Sequence, residues 1–305
     1  MMTRDPETFL HAFAALPYTA SRRTTARAAF LVAPSRFALA EESAQDNVYM
    51  RMQEAVDPQR ALRQHADLAE ALRADVPVFT FPGAAETPDA VFPNNVFATR
   101  PGALIVGRMR HAVRRREAER ADIRGFFRDV LDYEEIDLSG PSQPVAELTG
   151  SLVIDHARNV GFCGLGERCS EAGAAAMQAA FGLDLMFCFD LAEGEYHANV
   201  LMASLAGRGM LLAPDGFADA AAAEAIERAY AGATVLLDPQ QKARFAANAI
   251  TLDPHRVWMS ATAADSLSSA QCAQLEALDV RIGAVALDEI EKAGGSLRCC
   301  VAEIF

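Results

Sequence analysis

The sequence predicts an α/β fold, and three observations carry that prediction. Short apolar runs of strand length, many of them β-branched, recur along the chain. Longer stretches between them repeat apolar residues at helical spacing, as helices burying one face do. Each of five such helical stretches is followed at once by a strand-like run. Two strands, a helix and a strand at intervals of roughly fifty residues fit either a doubly wound sheet or a ring of ββαβ units. Periodicity leaves both open, and the repeats share no visible signature. At 305 residues and 51% hydrophobic content, the chain can bury a large core as one big domain or two ordinary ones.

In order, residues 1–26 lack a sustained period and are read as an N-terminal extension, ending in the polar run Thr19 to Arg27; residues 27–305 are read as the folded domain. Strand-like runs follow at 30–32, 76–81, 91–99, 103–106, 151–155, 160–163, 185–189, 200–204, 210–213, 234–237, 257–260, 280–282 and 299–305. Helices are expected over about 55–73, 109–130, 169–181, 218–231 and 265–278. The alanine run 220–225 reflects helix propensity. The basic run Arg108 to Arg116, followed by Glu117 and Glu119, reads as a solvated helix face.

A net charge of −13 repels nucleic acid and anionic lipid, which leaves a small molecule as the better partner and leaves self-association into a homo-oligomer open. The six cysteines form no CxxC pair or metal-finger spacing, so a reducing compartment and no metal are expected. Acids stand near the N-terminus where a signal peptide carries positive charge, and no apolar run nears the roughly 20 residues that span a bilayer. A cytoplasmic location is therefore expected.

Four segments gather reactive groups beside glycines or strand ends: 87–95, 147–151, 196–199 and 294–299. Gly294 and Gly295 permit a tight backbone that delivers Cys299 to a strand mouth. A free thiol there, with a pKa of about 8.5, needs a cation, bound substrate or imidazole to favour ionisation. The plainer alternative is a buried structural cysteine. His197 and Asn199, two apart, face the same way if the segment is extended. A histidine beside an amide suits acid–base and orienting roles; His11, His65, His111, His156 and His255 read as structural. Glu147 precedes a glycine turn and suits proton transfer or a grip on a substrate nitrogen. Asp89, Asn94 and Asn95 read equally as turn formers.

Taken together, Ala33-Pro34-Ser35-Arg36-Phe37, Pro88-Asp89-Ala90-Val91-Phe92-Pro93-Asn94-Asn95, Glu147-Leu148-Thr149-Gly150-Ser151, Tyr196-His197-Ala198-Asn199, Phe245-Ala246-Ala247-Asn248 and Gly294-Gly295-Ser296-Leu297-Arg298-Cys299 resemble the amidinotransferase, or pentein, superfamily over most of the chain. The Phe-Pro-Asn-Asn and Gly-Gly-Ser-x-Arg-Cys phrases look most like its bacterial citrulline ureidohydrolase branch. The resemblance implies a single-domain, five-bladed α/β propeller of ββαβ units with a central site and no cofactor. By motif position it implies Cys299 as nucleophile, His197 as general acid and base, and Glu147 as the assisting carboxylate. It also implies Asn95 and Asn199 at the guanidinium-gripping positions, Asp89 near the α-amino group and Arg168 on the α-carboxylate. Ala293, Leu148 and Cys300 depart from the pattern, where glycine, glycine and methionine are usual.

The two asparagines are neutral, and an amide can answer both the carbonyl and the N–H groups of a urea, whereas a guanidinium only donates. The expected reaction is therefore hydrolysis of citrulline to ornithine, ammonia and carbon dioxide through a thiocarbamoyl enzyme. The alternatives are a guanidine-acting enzyme of the same fold (an arginine or dimethylarginine deiminase or hydrolase, or an amidinotransferase) and, from another class, a noncatalytic binding protein.

Overall fold

The computed structural model describes residues 1–17 and 22–305; residues 18–21 of the expected extension lie outside it. The strands form five small sheets. Four have three strands, built from an antiparallel pair extended by one parallel strand. In one of them, Phe97–Arg100 turns through Gly102, at φ +76°, into Ala103–Val106, and Glu134–Asp137 adds in parallel after a helical segment. The last strand, Ala302–Ile304, pairs antiparallel with Ala28–Val32, so one sheet joins the two ends of the domain.

The side-chain alternation of a strand explains why these runs are apolar at every position. In Ala28–Val32, Ala28, Phe30 and Val32 enter one hydrophobic cluster while Ala29 and Leu31 enter another. Leu104 and Val106 are likewise split from Ile105, and Leu185 and Phe187 from Met186 and Cys188. Four of the five clusters join two sheets that follow one another in the chain, and the fifth joins the last sheet, through Ile250, Leu252 and Trp258, to the first.

Helices Pro58–Leu72, Glu171–Phe181, Ala220–Ala229 and Ser269–Ala277 fall where expected. Asp57, Ser170, Asp219 and Ser268 cap them through their side chains. The stretch expected as one helix over 109–130 is broken into short turns, Ala112–Arg115, Arg116–Glu119, Ala121–Gly125 and Phe126–Val130. The run 91–99 is mostly not strand: Pro88 and Pro93 open one-turn 3-10 helices, and pairing starts only at Phe97. No helix among the described residues is long and apolar enough to cross a membrane.

The N-terminal residues are not devoid of elements, which corrects the reading of 1–26. Met2–Thr3 pairs in parallel with Leu185–Asp190 and gives that sheet its fourth strand. Asp5 caps helix Pro6–Ala15, and Pro6 at its first turn lacks an N–H that would go unbonded there. Its period was missed because the apolar face is short; Phe9 and Phe13 alone of its residues are buried. Phe9 stacks on Phe187 at 4.4 Å between ring centroids. Phe9→Ala should destabilise the protein by about 3–5 kcal/mol, read as a lower denaturation midpoint with unchanged circular dichroism; an unchanged midpoint would show that the segment is not docked in solution.

Candidate active site

Just before the strand that pairs antiparallel at one side of each sheet the chain makes a tight turn, and five residues hold matching places there: Asn95, Gly150, Asn199, Asn248 and Cys299, each followed by two apolar or small residues. The same backbone bond, from the residue's N–H to the carbonyl three before it, forms at Gly150, Asn248 and Cys299. These five residues are neighbours in space. Asn199 and Asn248 reach Cys299 Sγ, and a Cβ on Gly150 would come within 2.5 Å of Asn95 Oδ1 and 2.8 Å of His197 Nδ1. This recurrence is the repeat that sequence inspection did not find, because the five positions hold three residue types.

Glu147 and His197 are both fully buried, with Nε2 2.9 Å from Glu147 Oε2. Burial alone would raise the Glu147 carboxyl, but the Arg168 guanidinium, 3.7 Å away, and His197 hold it down at about 2. The Arg110 backbone N–H also donates to Glu147 Oε1, at 3.0 Å. Burial lowers His197 to about 4 against the pull of Glu147, so near neutral pH the ring is uncharged. Its Nε2–H then donates to the ionised Glu147, which leaves Nδ1 as an acceptor with no partner.

Arg168 is held by more than Glu147. Its Nη2 donates to Asp46 Oδ1 at 2.5 Å and to the Ser43 carbonyl at 3.0 Å, and its guanidinium lies over the Tyr196 ring at 4.8 Å. Asp46 also meets His111 Nε2 at 2.9 Å. These contacts come from a loop over residues 38–57 that covers the site: Ser43 Oγ bonds Asp89, Asn47 Nδ2 donates to the Gly294 carbonyl, and Tyr49 Oη donates to Glu195. Nothing in the composition of that loop marks it in the sequence.

A small cavity beside Cys299 is lined by Asp89, Asn95, Arg114, Arg168 and Tyr196 together with the Ala293–Gly295 turn. A larger pocket on the far side of Asn199 and Thr149 touches neither Cys299 nor the Glu147–His197 pair. Asp89 is 3% exposed; burial raises its carboxyl, Arg114 opposes the shift, and its Oδ1 has no partner. Asn95 Oδ1 is likewise unpartnered, and Asn94 has both amide atoms buried without a bond.

Three expectations are corrected here. Arg114, read as part of a solvated face, is 2% exposed, pairs with Glu117 at 2.8 Å and donates to the Asp89 and Phe92 carbonyls. The i,i+3 spacing of Arg114 and Glu117 was visible, but it suits a surface pair equally well. His197 and Asn199 do not alternate on a strand, because Ala198–Val200 is a 3-10 turn. Asn199 Nδ2 donates to the Thr149 carbonyl at 3.0 Å and stands 3.6 Å from Cys299 Sγ. Cys300 also lies in a turn, Leu297–Cys300, and is fully buried.

Two outcomes follow from this geometry. Gly150→Ala should leave a folded protein but cut kcat/KM by roughly 100-fold, since the added methyl must displace Asn95 and His197; near-wild-type kinetics would show that this space is not used. Because the folded His197 binds its proton only near pH 4 while the unfolded ring binds it near 6.5, stability should be complete above about 6.5 and fall as pH drops toward 4. His197→Gln should flatten that part of the stability–pH curve.

The family model of eukaryotic N,N-dimethylarginine dimethylhydrolases matches residues 33–305. The product-bound N-terminal domain of ArgZ, an arginine dihydrolase from the ornithine-ammonia cycle in cyanobacteria, superposes with a TM-score of 0.78 at 19% identity, over 91% of this chain and 97% of that one. Unliganded AgrE superposes at 0.78 and 21% identity, over 92% of this chain and 40% of that one, so this chain spans well under half of AgrE. A dimethylarginine dimethylaminohydrolase carrying a 4-chloro-2-hydroxymethylpyridine adduct gives 0.70 at 20% identity, over 92% and 100%. At these identities the structural likeness shows the fold. No protein with a curated description matches the chain.

Proposed function

The chain belongs to the N,N-dimethylarginine dimethylhydrolase family of the pentein superfamily, and on that premise we propose that it is a cysteine-dependent hydrolase of a guanidino C–N bond in an arginine-like amino acid. In this reading residues 27–305 are the catalytic domain, residues 1–26 are an N-terminal extension whose residues 1–15 dock on it, and the five sheets are the blades of an α/β propeller with Cys299 near its centre.

One observation carries the choice of a guanidine. The unpartnered atoms that face the cavity and the space above Gly150 are acceptors: Asp89 Oδ1, Asn95 Oδ1 and His197 Nδ1. A guanidinium donates and accepts nothing, so it answers Asn95 Oδ1 and His197 Nδ1 while the substrate ammonium answers Asp89 Oδ1; a urea oxygen meets none of them. Charge points the same way. Burial raises the Cys299 thiol, against the hydrogen bond from Asn248, and the nearby arginines are already paired, Arg298 with Glu303 and Arg168 with Asp46 and Glu147. A guanidinium brings the cation that favours a thiolate, and a neutral urea does not.

The proposed reaction begins with transfer of the Cys299 proton to His197 Nδ1 and attack of sulfur on the guanidino carbon. The C–N bond breaks as the departing ammonia or amine takes the proton from His197, which leaves an amidino thioether. Water then gives a proton to His197 and adds to the carbon; the C–S bond breaks as sulfur takes that proton back from His197, which restores Cys299, and the ureido product is released, its excess proton passing to the freed ammonia or amine. Glu147 keeps the His197 tautomer and stabilises the ring while it carries the proton. Asp89, with its free oxygen, is assigned to the substrate ammonium, and Asn95, supported by Asn94, to the substrate's N–H groups. Arg168 is assigned to the carboxylate, which would have to displace Asp46; Arg114 lines the same cavity.

Citrulline hydrolysis is the second reading. It was drawn from the neutral Asn95 and Asn199, but Asn95 lines the cavity while Asn199 lies against Cys299 Sγ. Arginine, dimethylarginine and citrulline should be compared, with ammonia, dimethylamine and the ureido and amine products measured and Cys299→Ser as control. The expected outcome is loss of a guanidino substrate with release of its ureido product, abolished in the control; consumption of citrulline without any guanidino compound would replace this reading by the second. His197→Gln should lower kcat by roughly 100- to 10,000-fold.

A further inference from the structure

We propose that Asn248 is a further catalytic residue of this reaction: its side-chain amide holds Cys299 Sγ and donates a hydrogen bond to the thiolate. The assignment rests on the proposed role of Cys299 as nucleophile.

Asn248 is fully buried and grips the nucleophile segment at three points. Its backbone carbonyl accepts from Arg298 N–H at 3.2 Å, its Oδ1 accepts from Cys299 N–H at 3.3 Å, and its Nδ2 lies 3.3 Å from Cys299 Sγ. The amide orientation follows from its partners. A backbone N–H can only donate, so the atom facing Cys299 N must be the oxygen, and the NH2 group turns toward the sulfur. Of its two hydrogens, one meets the Asn199 carbonyl at 2.9 Å and the Asn199 Oδ1 at 3.2 Å. The other is left for Sγ.

Asn199 completes the cradle from the neighbouring turn, with Nδ2 3.6 Å and Oδ1 3.8 Å from the same sulfur. The thiol can donate to that oxygen, whereas the thiolate faces two amide N–H donors. Hydrogen bonding to the charged form favours ionisation, and two amides supply it in a site where burial works the other way. The backbone also indicates that the turn is held in place. Phe245, which opens it, has φ +61°, a costly conformation for a bulky side chain that persists only where surrounding contacts enforce it. Phe245 is buried and packs on Tyr49 of the covering loop at 5.2 Å.

The test needs no substrate. Thiolate absorbance near the ultraviolet limit is titrated in the full chain and in Asn248→Ala and Asn248→Asp, with the Cys299→Ser protein subtracted, while circular dichroism monitors folding. The Cys299 step should move up by about one unit or more in Asn248→Ala and further in Asn248→Asp, which keeps the shape and the acceptor but places a carboxylate against the sulfur. With a guanidino substrate, kcat should fall roughly 10- to 100-fold with KM nearly unchanged. If Asn248→Ala does not fold, the isosteric Asn248→Asp decides alone. A Cys299 step that stays at the wild-type pH in the folded variants overturns the proposal. If the step shifts but the wild type hydrolyses no guanidino compound, the amide's hold on the thiolate stands and the proposed function falls.

Discussion

A carboxylate with no access to solvent organises this site. Glu147 remains ionised at full burial because three groups converge on it: the Arg168 guanidinium, the His197 ring and the Arg110 backbone N–H. Removing one of them would strand a buried charge, which costs far more than the pair contributes when intact. The same carboxylate selects the His197 tautomer and so leaves Nδ1 open toward Gly150. It also begins a chain of charge that runs through Arg168 to Asp46 and His111, tying the covering loop to the floor of the cavity. The histidine, the arginine and the covering loop thus share one anchor.

The fold makes that convergence possible. Five sheets share five hydrophobic clusters, each wedged between two neighbours, so every central strand is covered on both faces. The turns that enter the antiparallel-paired strands are then brought near one another and supply Asn95, Gly150, Asn199, Asn248 and Cys299. One equivalent position holds the cysteine, two lie against its sulfur, one is emptied to a glycine and one presents an acceptor. Repetition of the backbone with divergence of the side chain yields a site whose members are about fifty residues apart in sequence and a few ångströms apart in space.

The alternation of short apolar runs with amphipathic stretches was enough to read the α/β class, four of the helices and most strands. The gaps have identifiable causes. Glu134–Asp137 is a polar edge strand with little apolar content to mark it, and the run 91–99 has strand composition but carries Pro93 inside it. In helix Pro6–Ala15 two buried phenylalanines are too few to establish a period. Within the site, Cys299, His197 and Glu147 stood out as reactive groups beside glycines or turns. Asn248 lay in a recognised phrase yet offered no chemistry of its own, and Asp46 and Ser43 sit in a loop where any polar residue is unremarked.

By itself the sequence determined which groups are available: two adjacent thiols after two glycines, a histidine, a carboxylate and several neutral amides, all on a strongly acidic chain. Those are properties of residue type and local spacing. What the amides do was decided only by the tertiary structure, because an asparagine can donate or accept and its neighbours choose between the two. Asn199 was set beside the sulfur of Cys299, and Arg114 turned from a solvated helix face into a buried wall of the cavity, through contacts with residues from other turns. Burial supplied the rest, since the protonation of Glu147 and His197 depends on a desolvation that no local stretch of sequence expresses.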